Sequence, residues 1–458
     1  RQRQMCIRDR HDTFPEAIKF LAKKYNIEVE ETQQTNEQKE AASLRESMYA
    51  VTAFAQSYFS KILTESEEGK NIGLSYFKER GFTDESIERF HLGYSPDEWT
   101  ALTNAATDAG FQMEFLLSTG LTIEKGGKIF DRFKGRIMFP IHSMSGRVTG
   151  FGGRILKQDK QAAKYMNSPE SEVYQKSKML YGLYQAKQHI AKESNCYLVE
   201  GYTDVIQMHQ AGIQNVVSSS GTALTPDQVR LIRRLTNTIT LLFDGDAAGI
   251  RAAIRGVDVI LEAGMHVSIC TFPAGEDPDS FVRRNHPTEV KEFLEKSTVD
   301  FVQFKARLLA EEGDNEPIRK AETIGEIVST IALIPDAIRR EIYIQDCAST
   351  MNISEDVLFS TLAQMLQKKS KQVPQAKASE KLQVVSTPKQ KVDQRFELER
   401  NIISLLLLYG NEEVSFEDVV LQSDGEGKIE LTPTEISAKV YEKIYLDLQQ
   451  DEVELSTK

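Results

Sequence analysis

The chain has 458 residues, 40% of them hydrophobic, with a formal net charge of −12. Its length predicts about three domains, the absence of a long apolar run excludes a membrane-spanning helix, and four cysteines (Cys6, Cys196, Cys270, Cys347) without C-x-x-C spacing argue against a disulfide framework or a zinc site and fit a reducing, cytoplasmic setting. The acidic balance is uneven: residues 125–190 hold thirteen Lys or Arg against four acids, which suits a polyanionic partner whose phosphates release counterions when neutralised, although a solvated lysine-rich face would read the same way.

In chain order, residues 1–10 (RQRQMCIRDR) show no helical or strand period and match neither a signal nor a transit peptide, so they read as a non-native scar. FPEAIKFLAKKYNIEVE predicts an amphipathic helix with Phe14 and Ile18 one turn apart, followed by an extended tail; residues 31–40 are polar and linker-like. Residues 41–63 predict a long helix with an apolar stripe of Leu44, Met48, Val51, Phe54, Tyr58 and Ile62. Residues 73–82 and 86–94 read as helix, glycine break, helix and extension, and the single tryptophan, Trp99, is assigned to the core.

IFDRFKGRIMFPIHSMSGRVTGFGGRIL predicts two strands, 137–141 and 148–151, turning at Ser145-Gly146. Arg132, Lys134, Arg136, Arg147 and Arg154 are threaded through it. Gly150, Gly152 and Gly153 permit close approach to the backbone, which suits a phosphate-handling surface and equally a β-bulge. KYMNSPES follows with Lys164, Tyr165 and Asn167, and Lys176 stands just before SKMLYGL.

Residues 196–280 carry the strongest pattern. An apolar run at 196–199 ends at Glu200, with Asp204 following; a shorter one at 216–217 ends in Ser218-Ser219-Ser220-Gly221. The run 238–243 ends at Asp244-Gly245-Asp246, and 267–272 leads through a Pro/Gly turn to Asp277-Pro278-Asp279. Short apolar runs alternating with helix-length periodic segments predict a parallel sheet with helical crossovers, in which ligands gather at the carboxyl ends of the strands. One edge would then collect these acids, an arrangement that makes sense around a hard cation such as Mg²⁺, which bridges carboxylates to phosphates. Singly, each acid could be a helix N-cap or turn residue. Residues 291–367 show helical spacing throughout, 368–393 are linker-like, and RFELERNIISLLLLYG begins a new amphipathic helix.

A Glu-Gly strand end, then Asp-x-Asp-x-x-Gly, then Asp-Pro-Asp resembles the Toprim domain shared by bacterial primases, topoisomerases and some nucleases. The flanking phrases ESIERFHLGYSP, DRFKGRIMFPI, GFGG, KYMNSPES and SKMLYGL resemble, in order and spacing, the core of bacterial replicative primases, as a fragment lacking the zinc-binding domain and part of the helicase-binding domain. The implied fold is α/β and α+β multidomain: a remnant at 11–40, an N-terminal basic α+β subdomain at 41–190, a Toprim parallel-sheet α/β domain at 191–286, a helical subdomain at 287–367, a linker at 368–393 and the start of a helicase-binding helical domain at 394–458.

The resemblance implies a DNA-templated RNA polymerase working by Mg²⁺-dependent nucleotidyl transfer, with Mn²⁺ as a substitute and Zn²⁺ only in the upstream domain. It assigns Glu200, Asp244 and Asp246 to catalysis, and Glu200, Asp204, Asp244, Asp246, Asp277 and Asp279 to the metal. Arg132, Lys134, Arg136, Arg147, Arg154, Lys164, Tyr165, Asn167 and Lys176 would face nucleotide and template; Lys134 stands where the family usually has an arginine and lacks its bidentate fork. The implied partners are single-stranded DNA, ribonucleoside triphosphates, the RNA–DNA hybrid product and the replicative helicase, reached through the C-terminal domain, with no membrane. Two other readings stand beside this one: a Toprim nuclease or topoisomerase-related enzyme, although none of the fifteen tyrosines has a recognisable nucleophile's setting, and a non-catalytic, helicase-tethered DNA-binding scaffold.

Overall fold

A computed structural model describes residues 36–156, 163–244, 247–273, 275–311 and 317–372. The expectations for residues 1–35, for Asp246 and for 394–458 lie outside them. No helix among the described residues is long and apolar enough to cross a membrane.

The first described element is the long helix Asn36–Glu65. Met48, Val51, Ala55, Phe59 and Leu63, spaced three or four apart, form its buried stripe, whereas Leu44 is exposed. The expected stripe is therefore partly displaced: Met48 and Val51 belong to it, but Ala55, Phe59 and Leu63 continue it, and Phe54, Tyr58 and Ile62 only flank it.

That helix covers an antiparallel sheet. Its strands are β1 (Gly93–Ser95), β4 (Arg136–His142), β5 (Val148–Ile155) and β6 (Tyr165–Asn167), in the order β1-β4-β5-β6. A separate hairpin of β2 (Thr122–Lys125) and β3 (Lys128–Asp131) turns at Gly126 and Gly127, both at positive φ as a two-residue turn requires. All seven residues of β4 are buried because both sheet faces are covered. Met138 packs with Val51 and Phe59 on one side, while Ile137, Phe139 and Ile141 pack with Phe77 and Tyr202 on the other. Covering both faces explains a strand written RIMFPIH rather than in alternation.

Two expectations change here. Trp99 is not core: it is 65% exposed, its edge on Phe130 and the Lys134 ammonium 4.6 Å from its ring. The close approach allowed by Gly150, Gly152 and Gly153 is taken up by aromatic rings. A Cβ at these positions would meet Tyr174 at 2.9 Å, Tyr202 at 2.5 Å and Phe133 at 2.7 Å, respectively.

The second sheet contains β7 (Cys196–Val199), β8 (Val216–Ser218), β9 (Thr238–Phe243), β10 (His266–Thr271) and β11 (Val299–Asp300), in the order β11-β10-β9-β7-β8. The pairs β7–β8, β7–β9 and β9–β10 are parallel, and only the edge strand β11 runs antiparallel. From β7 the chain moves outward to β8, then crosses back to β9 on the other side. The strand order therefore reverses between β7 and β9, and the crevice at such a reversal is where open α/β sheets bind ligands. Downstream, helices Phe301–Glu311, Pro317–Ile331, Ala337–Met351 and Glu355–Gln372 pack apolar faces around Ile327, Ile331, Ile344 and Leu358. A buried polar chain pins them to the helix Ala247–Glu262: Lys305 Nζ donates to Thr330 Oγ1 (3.1 Å), which donates to Asp258 Oδ1 (3.0 Å). Cys196, Cys270 and Cys347 are free and buried.

Candidate active site

Because β7, β9 and β10 run parallel, Glu200, Asp244 and the Asp277–Asp279 turn follow strand ends on the same edge. The loop after β8 joins them there. Ser218 Oγ (2.6 Å) and the Gly221 amide (3.1 Å) both donate to the Glu200 carbonyl, clamping the backbone that carries this carboxylate. Ser220, in that loop, sits at φ +60, a conformation that costs energy for a residue with a side chain and is found where surrounding contacts enforce it. A cleft of about 380 Å³ opens beside Glu200, lined also by Ser219, Thr222, Phe243 and Arg255.

Asp244 ends β9 just before the helix Ala247–Glu262. A Cβ on Gly249 would lie 2.5 Å from the Asp244 carbonyl oxygen, so the glycine of Asp-x-Asp-x-x-Gly is what lets the helix start against the strand end. Asp204 belongs to the first turn of the helix Tyr202–Gln210 and accepts from the Gly201 amide at 2.8 Å. Its carboxyl is pushed up to about 7, by burial first and then by the negative charges of Asp277 and Glu200, while the Gly201 bond and Arg80 pull the other way. Asp277 and Glu200 thus lie close enough to Asp204 for their charges to bear on it.

Asp277 fills the modest role as well: it N-caps the helix Pro278–Arg284, accepting from the Ser280 amide at 2.7 Å. Asp279 is only 2% exposed and ion-paired with Arg80. Its Oδ1 finds no hydrogen-bond partner among the described residues.

Among the described residues no three His, Cys, Asp or Glu side chains form a ready-made metal cage. Mg²⁺ needs only one or two protein carboxylates, since waters and substrate phosphates complete its shell. The donor set fits such an ion: the oxygens are hard, one buried carboxylate oxygen lacks a donor, and Asp204 is crowded by like charge.

The basic positions divide. Arg136 is buried and donates to the carbonyls of Gly153 (3.2 Å) and Ala163 (3.1 Å). Arg147 forms a two-pronged ion pair with Glu46 at 2.7 Å and lies 3.7 Å from the Tyr49 ring. Arg132 Nε donates to the Gly120 carbonyl (2.6 Å), and Lys134 donates to Asp97 (2.6 Å). Each of these four makes a contact within the protein, and Arg136 and Arg147 brace the sheet and the long helix through theirs.

Arg154, Tyr165 and Asn167 lie nearer the acids. Arg154 lies over the rings of Tyr76 (4.6 Å) and Tyr165 (5.8 Å), and its buried Nε and Nη1 have no hydrogen-bond partner among the described residues. Burial pushes the Tyr165 hydroxyl up, while the charges of Arg154 and Arg80 pull it down and that of Asp204 raises it. Asn167 accepts from the Tyr202 hydroxyl (2.7 Å) and donates to the Ser220 carbonyl (3.4 Å), joining β6 to both acid-bearing loops. Lys164 is exposed, and Lys176 is half-buried with its amide donating to Glu170 (3.1 Å). Arg80, Tyr76, Tyr202 and Thr203 were not singled out by the sequence reading. Tyr202 and Thr203 lie inside the EGYTD phrase, whereas nothing local marks Arg80.

Three comparisons bear on this arrangement. Residues 58–187 match the family described as the DNA primase catalytic core, N-terminal domain, and residues 197–282 match a Toprim-like family. Residues 302–356 match the DnaB-helicase binding domain of primase, a stretch ahead of residues 394–458, where the resemblance had put that module. The chain is 37% identical over 354 residues to the DNA primase of Halalkalibacterium halodurans, covering 76% of this chain and 57% of that protein. It thus spans well under two thirds of the length of the curated relatives it matches. Among solved structures, a DNA primase domain from Pseudomonas aeruginosa is 32% identical with a TM-score of 0.63, covering 69% of this chain and 99% of that one. A DnaG primase catalytic domain bound to ssDNA is 31% identical with a TM-score of 0.59, covering 67% of this chain and 99% of that one.

Proposed function

The chain belongs to the DnaG-type bacterial DNA primases, and on that premise we propose that it synthesises short RNA primers on single-stranded DNA by divalent-cation-dependent nucleotidyl transfer in the cytoplasm. The observation that carries this reading is the gathering of Glu200, Asp244 and the Asp277–Asp279 turn at one sheet edge beside the strand-order reversal, with Asn167 tied to both neighbouring loops and Arg154 over Tyr165.

In this reading Glu200, Asp204, Asp244, Asp246, Asp277 and Asp279 are the groups that would hold Mg²⁺, or Mn²⁺ in its place. When bound, the ion neutralises phosphate charge and lowers the pKa of the attacking 3′-hydroxyl. Glu200, with its carbonyl held by two donors, is the carboxylate best positioned to orient that hydroxyl or accept its proton. Arg154 offers unpartnered buried donors to triphosphate oxygens, and a guanidinium's planar fork suits them. Asn167 and Tyr165 flank the nucleotide, Lys164 and Lys176 meet backbone phosphates of the template, and the RNA–DNA hybrid leaves along the same side. The stretch 302–356 presents the replicative helicase with a docking module.

Purified Asp244→Ala protein should lose primer synthesis on single-stranded DNA by at least about 100-fold, the scale of removing one preorganised electrostatic group, with an unchanged circular dichroism spectrum. Wild-type synthesis by that variant refutes the assignment. Incubating labelled DNA with Mg²⁺ and no ribonucleotides separates the nuclease reading, which requires cleavage under those conditions.

A further inference from the structure

Arg80 ion-pairs directly with Asp279, an acid of the candidate metal edge, and its backbone belongs to a different part of the fold. It follows the helix Ser75–Glu79, in a turn where Gly81 takes φ +79. That turn is fastened to the Toprim helices at four points. Gln207 Nε2 donates to the Arg80 carbonyl (2.7 Å), Gln210 Nε2 to the Gly81 carbonyl (2.8 Å), the Thr83 amide to Gln210 Oε1 (3.0 Å) and Arg283 Nη2 to the Glu79 carbonyl (3.4 Å). With its backbone so held, only the Arg80 side chain is free to choose partners.

Its present partner is half-used. Arg80 Nη2 pairs with Asp279 Oδ2, yet Arg80 Nε and Asp279 Oδ1 are both buried without hydrogen-bond partners among the described residues. A structural arginine–carboxylate bridge would gain from the two-pronged fork, and a one-pronged pair leaves both desolvated groups incompletely compensated. A second guanidinium stands close by: Arg80 lies 5.9 Å and Arg154 4.6 Å from the Tyr76 ring. Two neighbouring cations that retain unpartnered N–H groups form a receptor for a polyanion.

Resting on the primase reading, we propose that Arg80 is a positioning residue for which Asp279 and the incoming nucleotide compete: a divalent cation displaces it from Asp279, and the freed guanidinium joins Arg154 on the nucleotide's phosphates. Arg80 thereby ties nucleotide capture to metal loading, since its side chain cannot serve both partners at once. The fastened 79–83 turn supplies the fixed pivot.

The test uses the whole chain with Arg80→Gln and Arg80→Lys. Mn²⁺ binding without nucleotide is followed by the electron paramagnetic resonance of the free ion, and ATP binding at saturating Mn²⁺ by calorimetry. Removing a competing positive charge predicts that Arg80→Gln binds Mn²⁺ at least about threefold more tightly, while its ATP affinity falls at least about fivefold because charge-assisted bonds are lost. Arg80→Lys keeps the charge, so its Mn²⁺ affinity stays near wild type while its ATP affinity falls. Equal or weaker Mn²⁺ binding by Arg80→Gln overturns the proposal and leaves a plain structural bridge; undiminished ATP affinity in that variant overturns it too. Wild-type protein that binds no Mn²⁺ at all sinks the primase reading itself, a different failure.

Discussion

Arg132, Lys134, Arg136 and Arg147, from the cation-rich stretch, all end on carbonyls or carboxylates of the protein itself. The acids that follow β7, β9 and β10 fare differently, for Asp204 is pushed up by burial first and then by its acidic neighbours, and Asp279 keeps a buried oxygen without a donor among the described residues. The sheet, the long helix and the neighbouring turns surround these four side chains with carbonyls and acids. Parallel topology instead delivers strand ends to one edge whether or not their charges agree, and the conflict stays there for a ligand to relieve. A count of charges therefore overstates a basic surface and understates an acidic site.

Three substitutions test this contrast. The largest effect is expected at Arg136. Arg136→Met keeps the aliphatic volume but leaves the Gly153 and Ala163 carbonyls without their donor, which costs about 3 kcal/mol. Urea unfolding reads the loss, and a wild-type midpoint would return Arg136 to the substrate-facing set. Gly152→Ala comes next, since the new methyl meets the Tyr202 ring 2.5 Å away. Overpacking of this kind costs about 1–3 kcal/mol, and it should loosen the Tyr202–Asn167 bond, so ATP affinity should drop together with stability; a drop in ATP affinity at an unchanged urea midpoint would mean that the glycine serves phosphate after all. Smallest is Arg147→Ala. Its partner Glu46 is 62% exposed, and such pairs contribute under about 1 kcal/mol. Primer synthesis and its salt dependence should stay within twofold of wild type, whereas a flatter salt response would identify Arg147 as a phosphate contact.

Much of the acid-bearing sheet was legible before any coordinates. The runs at 196–199 and 238–243 are the strands Cys196–Val199 and Thr238–Phe243, because an apolar run stopped by Asp-Gly or Glu-Gly is a purely local signal. Helix–strand alternation supplied the parallel pairing, and that pairing alone puts Glu200, Asp244 and Asp277 at one edge. The basic stretch was legible as charge but not as availability, since exposure depends on what a neighbouring strand offers. Trp99 was misplaced for the same reason: its size predicts burial, yet it packs edge-on against one ring and under one lysine.

Element types, the parallel sheet, its acid edge and the family resemblance were determined by the sequence alone, because periodicity and punctuation act within a few residues. Only the tertiary structure decided which arginines are struts, that Gly150, Gly152 and Gly153 receive aromatic rings, and that Arg80 reaches Asp279 across 199 positions of chain. Contacts of that span leave no local pattern: they arise when two separately folded surfaces meet, and the free energy of that meeting belongs to neither segment by itself.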